Sequence, residues 1–136
     1  MNWNAWAPAS CSAAIVDRVE RYVLEEVMSG ADGGGWVTLG FRSGLEPNDV
    51  LHIVASGSRA IYLERFDQAY SLDAPAIAVR AGASCVEVDL TDDAQRALAF
   101  TARSLAFDGA DKLPVYEDAL RIFAGMARAG YPVRIE

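Results

Sequence analysis

The chain of 136 residues is long enough for one domain with a real hydrophobic core, and its 52% hydrophobic and 23% charged side chains are typical of a globular protein. Its 12 basic and 19 acidic side chains give a net charge of −7. This charge argues against nucleic acid or an anionic membrane as a partner, because both require clustered cations. A cationic protein partner would suit it.

The first residues have neither the basic region nor the continuous apolar region of a secretory signal. No apolar run approaches the roughly 20 residues that a membrane helix needs. The two cysteines, Cys11 and Cys85, can form at most one disulfide, and a domain of this size does not depend on one. Cys85 alternates with two carboxylates on an expected exposed strand face, which would blunt its reactivity. We therefore expect a cytoplasmic protein whose thiols are reduced.

The N-terminal part is expected to be an irregular arm followed by a helix. Residues 1–11 contain two tryptophans and no charged side chain. Across Ser12–Met28 the apolar side chains recur at helical spacing, and the Ser29-Gly30 pair would end the helix. The apolar stripe consists of Ile15, Val16, Val19, Val23 and Val27.

The middle of the chain predicts a sheet. A glycine-rich connector, residues 31–35, is followed by several segments that are rich in β-forming residues and separated by short turns. Parallel neighbours would need connections of about a dozen residues or more, so the short spacing favours an antiparallel meander. The segments are Trp36–Arg42, Val50–Ala55, Ala60–Phe66, Ala76–Arg80 and Cys85–Leu90.

Two helices and a short strand are expected at the C-terminal end. Thr91 is a favourable N-cap, and the two aspartates behind it suit the positive end of a helix dipole. We predict a helix from there to about Phe107. A second helix would begin near Pro114 and end at Gly130, and Tyr131–Ile135 would add the strand.

These segments predict a single α+β domain over residues 1–136, with the irregular arm at 1–11. The sheet is expected to be mainly antiparallel and to have about five or six strands. One N-terminal helix and two C-terminal helices would flank it.

His52 is the only histidine and a natural candidate for catalysis. In a strand it shares one face with Val50 and Val54, while Leu51 and Ile53 face the other way. A general base needs an orienting partner and a reactive group beside it. The sequence has neither a Gly-x-Ser-x-Gly elbow nor a recognisable cysteine nucleophile motif. We interpret His52 as a packed residue and expect no catalytic residue, hence no enzyme.

The glycine cluster and the carboxylate pairs are explained by structure rather than by chemistry. Gly30–Gly35 follows a helix and opens a strand, whereas a phosphate-binding loop follows a strand and opens a helix. The pairs Asp92-Asp93 and Glu117-Asp118 lie in first helical turns, where the dipole stabilises them. One histidine excludes a histidine-rich zinc site, and no oxygen ligands have calcium-loop spacing. We therefore expect neither a metal nor a cofactor.

Because the sequence contains no catalytic or metal-binding motif, we expect the protein to function by binding a partner through its surface. Aromatic side chains anchor protein interfaces because they bury much area with few rotatable bonds. Trp36 and Tyr62 are candidates for such anchors, and the carboxylates around the start of the last helix are candidates for charge recognition. The predicted partner-binding residues are Trp36, Tyr62, Asp108, Asp111, Glu117 and Asp118.

A small acidic domain with a meander, flanking helices and no catalytic motif resembles the immunity proteins that bacteria make against secreted polymorphic toxins. The resemblance covers the whole chain at the level of architecture and composition, without a residue-level motif. It implies a protein that binds a cognate toxin and caps its active site, and a toxin domain that acts on nucleic acid is often cationic. Two alternatives stay open: a secretion chaperone for an effector, and a small carboxylate-dependent enzyme.

Overall fold

The computed structural model of the protein describes residues 19–43, 49–82, 85–109 and 113–136. Two α-helices lie in this part of the chain, α1 at Asp92–Ala97 and α2 at Leu113–Arg128, together with two short 3-10 turns at Asp32–Gly34 and Gly57–Arg59. The strands are β1 Val19–Gly30, β2 Trp36–Arg42, β3 Asp49–Ser56, β4 Ala60–Arg65, β5 Asp67–Asp73, β6 Ile77–Ala81, β7 Cys85–Asp89, β8 Ser104–Asp108 and β9 Val133–Ile135.

All of these strands belong to one mixed sheet of nine strands, in the order β5-β4-β3-β2-β1-β8-β7-β6-β9. The first five strands form an antiparallel meander, and β6, β7 and β8 form a second antiparallel run. The two runs are joined by parallel pairing of β1 with β8, and β9 pairs in parallel with β6. The parallel pair of β1 and β8 therefore joins the two antiparallel runs into one sheet.

The expected α+β domain with five or six strands and three helices is wrong. The described part of the chain is mostly strand, with nine strands and two helices. The largest error is at the N-terminal side, where residues 19–28 of the expected helix are the strand β1. The arm at 1–11 and the first residues of that helix, 12–18, lie outside the described residues.

A β-bulge interrupts the period-two alternation of β1. Val23 and Leu24 pair with β2 in regular register, but the register shifts between Leu24 and Glu26. The bulge places an extra residue in one strand, so the inward positions change from even to odd numbers. Leu24 and Val27 both face the core, three residues apart, which is a helical interval.

Two further strands were missed for different reasons. The helix expected to run to about Phe107 ends at Ala97, and the chain turns at Ala99, whose φ is 59°, before β8 begins. β5 is a polar and largely exposed strand at the edge of the sheet, so it lacks the alternation that marks a half-buried strand.

The other expected elements are confirmed. The five expected strand segments coincide with β2, β3, β4, β6 and β7 to within a residue at each end. Thr91 caps α1, since its hydroxyl accepts a hydrogen bond from the amide of Ala94 at 3.1 Å. α2 ends just before Gly130, which has a φ of 94°, and β9 follows.

The main hydrophobic core of the described residues lies between the sheet and the two helices. Inward residues of the strands, such as Leu39 and Ile53, are fully buried and share a cluster with Leu98 beside α1 and with Phe123 and Met126 of α2. We call the side of the sheet that carries the helices the inner face. The opposite side over strands β1–β5 is called the outer face.

A buried ion pair fixes the end of α1 against the sheet. Arg65 of β4 and Asp49 of β3 are each 1% exposed, and Nη2 of the arginine lies 2.8 Å from Oδ2 of the aspartate. Nη1 of Arg65 donates to the carbonyl of Ala99 at 2.9 Å, and the guanidinium lies 3.9 Å from the ring centroid of Phe100. The cation therefore stands at the negative end of the helix, on an aromatic ring.

Candidate protein-binding face

The strand register brings aromatic and acidic residues together on the outer face. Trp36 of β2 lies opposite Val54 of β3, which lies opposite Tyr62 of β4, which in turn lies opposite Asp73 of β5. Residues directly opposite in antiparallel strands have Cβ atoms about 5 Å apart. Trp36, Val54 and Tyr62 thus form one continuous row across the middle of the meander, which we call the aromatic row.

A second row runs beside it, two residues further along each strand. Met28, Thr38, His52, Glu64 and Ser71 lie opposite one another from β1 to β5. Met28 is 46% exposed, so this row opens to solvent at its β1 end. Neither row contains a lysine or an arginine, and both end at the polar strand β5.

The indole of Trp36 is held in place by its neighbours. Trp36 lies opposite Gly30 in the register, and a Cβ at Gly30 would come within 2.5 Å of the indole Nε1. The ring therefore lies over the bare backbone of this glycine. Nε1 donates a hydrogen bond to Oδ1 of Asp32 at 3.0 Å. The side chain is half-buried, so one part of the indole stays available to a partner.

Tyr62 is tied to a carboxylate on its own strand. Its hydroxyl donates to Oε1 of Glu64 at 2.5 Å, and both side chains are half-buried on the outer face. The hydrogen bond to Glu64 raises the pKa of the tyrosine, and Asp73 across the strand pair adds to the effect. The phenol is thus a neutral donor fixed beside negative charge.

His52 lies at the centre of the second row and makes a structural contact. Nδ1 of His52 and the hydroxyl of Thr38 are 2.9 Å apart, on paired positions of β3 and β2. The burial of β3 alternates as expected, with Leu51 and Ile53 buried and His52 half-buried. The side chain therefore belongs to the surface of the outer face and packs against its neighbours.

The structure separates the residues that we expected to bind a partner. Trp36 and Tyr62 share the aromatic row, and Asp108 follows on the same side of the sheet at the end of β8, where it forms an ion pair with Arg21 at 3.1 Å. Asp111 lies outside the described residues. Glu117 and Asp118 are exposed on α2, which packs on the inner face, so they lie on another surface.

Several residues of the outer face were missed by the sequence analysis. Met28 was assigned to a helix, and Asp73 belongs to an edge strand that was not expected. Val54 and Glu64 were within expected strands, but their place beside Trp36 and Tyr62 depends on the register between strands. The turns of this meander do not specify that register in a single sequence.

A second polar cluster lies in the strands β6–β8, on the side away from the helices. Both terminal nitrogens of Arg80 donate to the carboxylate of Asp89 at 3.3 Å, and its Nε donates to Oε1 of Glu87 at the same distance. The hydroxyl of Ser104 donates to Asp89 at 2.8 Å. Arg80, Glu87 and Ser104 are all buried.

Glu87 is the unusual member of this cluster. Burial raises the pKa of its carboxyl from 4.5 to about 7, although Arg80 beside it acts in the opposite direction. Its Oε2 is a buried atom for which the described part of the protein offers no hydrogen-bond partner. A pKa near neutrality is typical of general acids and bases. However, Glu87 is 2% exposed and the cluster is bound together by the hydrogen bonds of Arg80, so we interpret it as structural.

Cys85 differs from the expected reduced thiol on an exposed acidic face. It is 1% exposed and disulfide-bonded. The alternation with Glu87 and Asp89 is confirmed. However, β7 is buried on both sides, so its acidic side is not exposed to solvent as we expected. The other cysteine of the sequence, Cys11, lies outside the described residues.

An open cleft of about 390 Å³ lies at the ends of β6, β7 and β9. Its charged lining residues are already paired, because Asp89 is bound by Arg80 and Ser104, and Arg134 pairs with Glu136. Within the described ranges no group of three or more histidine, cysteine, aspartate or glutamate residues is arranged to hold a metal ion. The outer face is therefore the better candidate for function.

Neither helix of the described part is long and apolar enough to cross a membrane. No protein-family model, curated protein or solved structure matches this chain. The surface chemistry of the outer face is therefore the best indication of function in the described part of the chain.

Proposed function

We propose that this chain is a protein-binding module that presents its outer face to a cationic partner, and that it acts as an immunity protein against a bacterial toxin. The observation that carries the proposal is the aromatic row. Trp36 and Tyr62 lie on either side of Val54, half-exposed and surrounded by carboxylates. Aromatic anchors with a polar rim are the usual composition of protein interfaces.

Preorganisation supports this use of the row. The hydrogen bond to Asp32 and the packing over Gly30 fix the indole, and the hydrogen bond to Glu64 fixes the phenol. Side chains that are already ordered lose less conformational entropy when a partner binds. A rigid β-sheet surface also keeps both rings at a constant separation.

Charge supports a cationic partner. Glu64 and Asp73 adjoin Tyr62, Asp32 adjoins Trp36, and the two rows contain no lysine or arginine. A positive surface on the partner would match this face and would be steered to it by the net charge of −7. The active site of a toxin that acts on nucleic acid is such a surface, because it must bind phosphates.

Co-expression tests the proposal. Cells would carry the gene of this chain together with the neighbouring gene, and survival would be compared with that of cells carrying the neighbouring gene alone. We expect protection by the wild-type chain. If the two kinds of cell die equally, the chain does not act as an immunity protein for that product.

Variants of the outer face, titrated against the purified partner, locate the binding surface. Trp36→Ala and Tyr62→Ala should weaken binding of the partner at least about tenfold, as truncated anchors do. Asp93→Asn is the matched control, since it removes a charge at an exposed site on α1. Thermal unfolding of each free variant separates a lost contact from a lost fold. Equal binding by all three folded variants would place the interface elsewhere.

We also propose a cytoplasmic location, where an immunity protein would meet a toxin that enters the cell. The disulfide of Cys85 argues against this location, because disulfides are rare in the reducing cytosol, so the location requires a direct test. Alkylation of thiols under denaturing conditions during cell lysis, followed by mass spectrometry of the intact chain, tests the location. A cytoplasmic protein should be alkylated at both cysteines, whereas a fully unmodified chain would indicate an oxidising compartment.

A further inference from the structure

A groove of about 460 Å³ lies between α2 and the end of the sheet at β6 and β9. Its floor is apolar, and Ile135 of β9 is 44% exposed there. Its rim is charged with both signs. The lining residues are Ala81, Glu117, Leu120, Arg121, Ala124, Ile135 and Glu136.

The groove adjoins an open strand edge. β9 is the last strand in the sheet order, and among the described residues it pairs only with β6. An unpaired edge presents backbone donors and acceptors that another chain can use. Ile135 contributes both to this edge and to the groove, so one occupant can cover the two together.

We propose that a second copy of this chain occupies the groove and forms a two-fold symmetric dimer. In such a dimer the same patch meets itself, so the patch must be complementary to itself. Glu117 and Arg121 meet this condition, because they lie one turn apart on α2 and carry opposite charges. With the two α2 helices antiparallel, Glu117 of each copy faces Arg121 of the other.

The residues between these charges suit helix-to-helix contact. Leu120 and Ala124 follow Glu117 on the same side of α2, at the spacing of neighbours on a helix surface. Leu120 supplies apolar area, and the small side chain of Ala124 lets the two backbones approach. Arg121 already pairs with Asp118 on its own helix, but both side chains are exposed. An exposed pair of this kind is weak and exchanges readily for a new partner.

The proposed dimer does not depend on the proposed function. The groove lies at the β9 end of the sheet, whereas the outer face is formed by β1–β5 at the other end. A dimer through the groove leaves the aromatic row free in both copies. Failure of the dimer would leave the toxin-binding proposal standing, and the reverse also holds.

Light scattering coupled to size exclusion gives the first test. The wild-type chain should elute as a species of twice its mass of 14.6 kDa over a wide range of concentrations. A monomer at the concentrations used for NMR spectroscopy would overturn the proposal.

Charge reversal tests the predicted contact. Glu117→Arg and Arg121→Glu should each be monomeric, because every two-fold pair then joins like charges. Mixing the two variants should restore the dimer, since one chain then carries a basic side chain at both positions and the other chain an acidic one at both. Arg103→Glu is the matched control: it also reverses an arginine of an exposed ion pair, but outside the groove, and it should stay dimeric.

Either of two results would contradict the proposal. One is that both single variants remain dimers, and the other is that the mixture stays monomeric. Circular dichroism of each variant confirms its fold before the comparison. A variant that does not fold is replaced by Glu117→Lys or Arg121→Asp, which make the same charge reversal with smaller side chains.

Discussion

Glu87 shows how one buried residue can make stability depend on pH. Its folded-state pKa of about 7 lies above the ordinary 4.5, so the folded protein holds this proton more tightly than the unfolded chain does. The stabilisation from the proton is fully present below about pH 4.5 and is lost as the pH rises through 7. Above that pH the carboxylate is charged and buried, with Oε2 unpaired among the described residues.

Glu87→Gln should therefore stabilise the protein at alkaline pH. The amide stays neutral, so at pH 8 we expect a gain of about 1–3 kcal/mol in the free energy of unfolding, given about 1.4 kcal/mol for each pKa unit. Near pH 4.5 the variant and the wild type should be equal. Urea denaturation at both pH values measures the difference. A variant less stable than the wild type at pH 8 would contradict the pKa shift.

Asp89→Asn is the control for this experiment. Both oxygens of Asp89 accept hydrogen bonds from Arg80, and Oδ1 also accepts one from Ser104. An amide cannot replace a carboxylate in such a pair. This variant should be less stable than the wild type at pH 8. If Glu87→Gln raises the free energy of unfolding and Asp89→Asn lowers it, the unpaired oxygen of Glu87 is the cause of the stabilisation.

Single residues were predicted well where the argument needed only alternation along one strand. His52 shares its half-exposed side of β3 with Val50 and Val54, as expected, and Cys85 alternates with Glu87. The exposure of each side was harder to predict. Burial on both sides of a strand depends on what covers the sheet, and period-two patterning does not contain that information.

Elements were predicted where pattern and local chemistry agree, as in α2 and the five expected strands. β1 was assigned to a helix because Val19, Val23 and Val27 recur at intervals of four residues, but Val23 is exposed on the outer face and Val27, beyond the bulge, is buried. The exposed edge strand β5 buries little apolar surface, with Leu72 as its main contact to the core, so no clear alternation reveals it. In each case a tertiary contact overrides a local pattern, which sequence propensity does not record.

Arg65 joins three elements, so its loss should be costly. It pairs with Asp49 of β3 and donates to carbonyls at the end of α1. Arg65→Met leaves Asp49 buried and unpaired, and we expect a loss of about 3–5 kcal/mol in the free energy of unfolding. The double variant Arg65→Met with Asp49→Leu should recover part of this loss, because no charge then remains buried.

Chemical denaturation of the two single variants and the double variant measures the coupling between these residues. The exposed pair Asp93–Arg96 on α1 is the matched control, and breaking it with Arg96→Met should cost less than about 1 kcal/mol. A similarly small effect for Arg65→Met would mean that the ion pair does not fix α1 to the sheet.

At the scale of the whole molecule, the sheet order could not be predicted from the sequence. Short connections indicated a meander, and β1–β5 is one. The parallel pair of β1 and β8 joins segments that are far apart in the chain, and β8 had been assigned to a helix. The aromatic row could not be predicted for the same reason, because Trp36 and Tyr62 come into one row only through the register of three strands.

The net charge of −7 leads to the last prediction, which rests on the proposed function. Association with a cationic partner should slow as salt rises from low to physiological concentration, because screening then acts over about 10 Å. Glu64→Gln and Asp73→Asn should slow association in the same way. Trp36→Ala should instead speed dissociation, since an anchor acts after the encounter. Stopped-flow measurement of both rates separates these effects, and an association rate independent of salt would exclude charge steering.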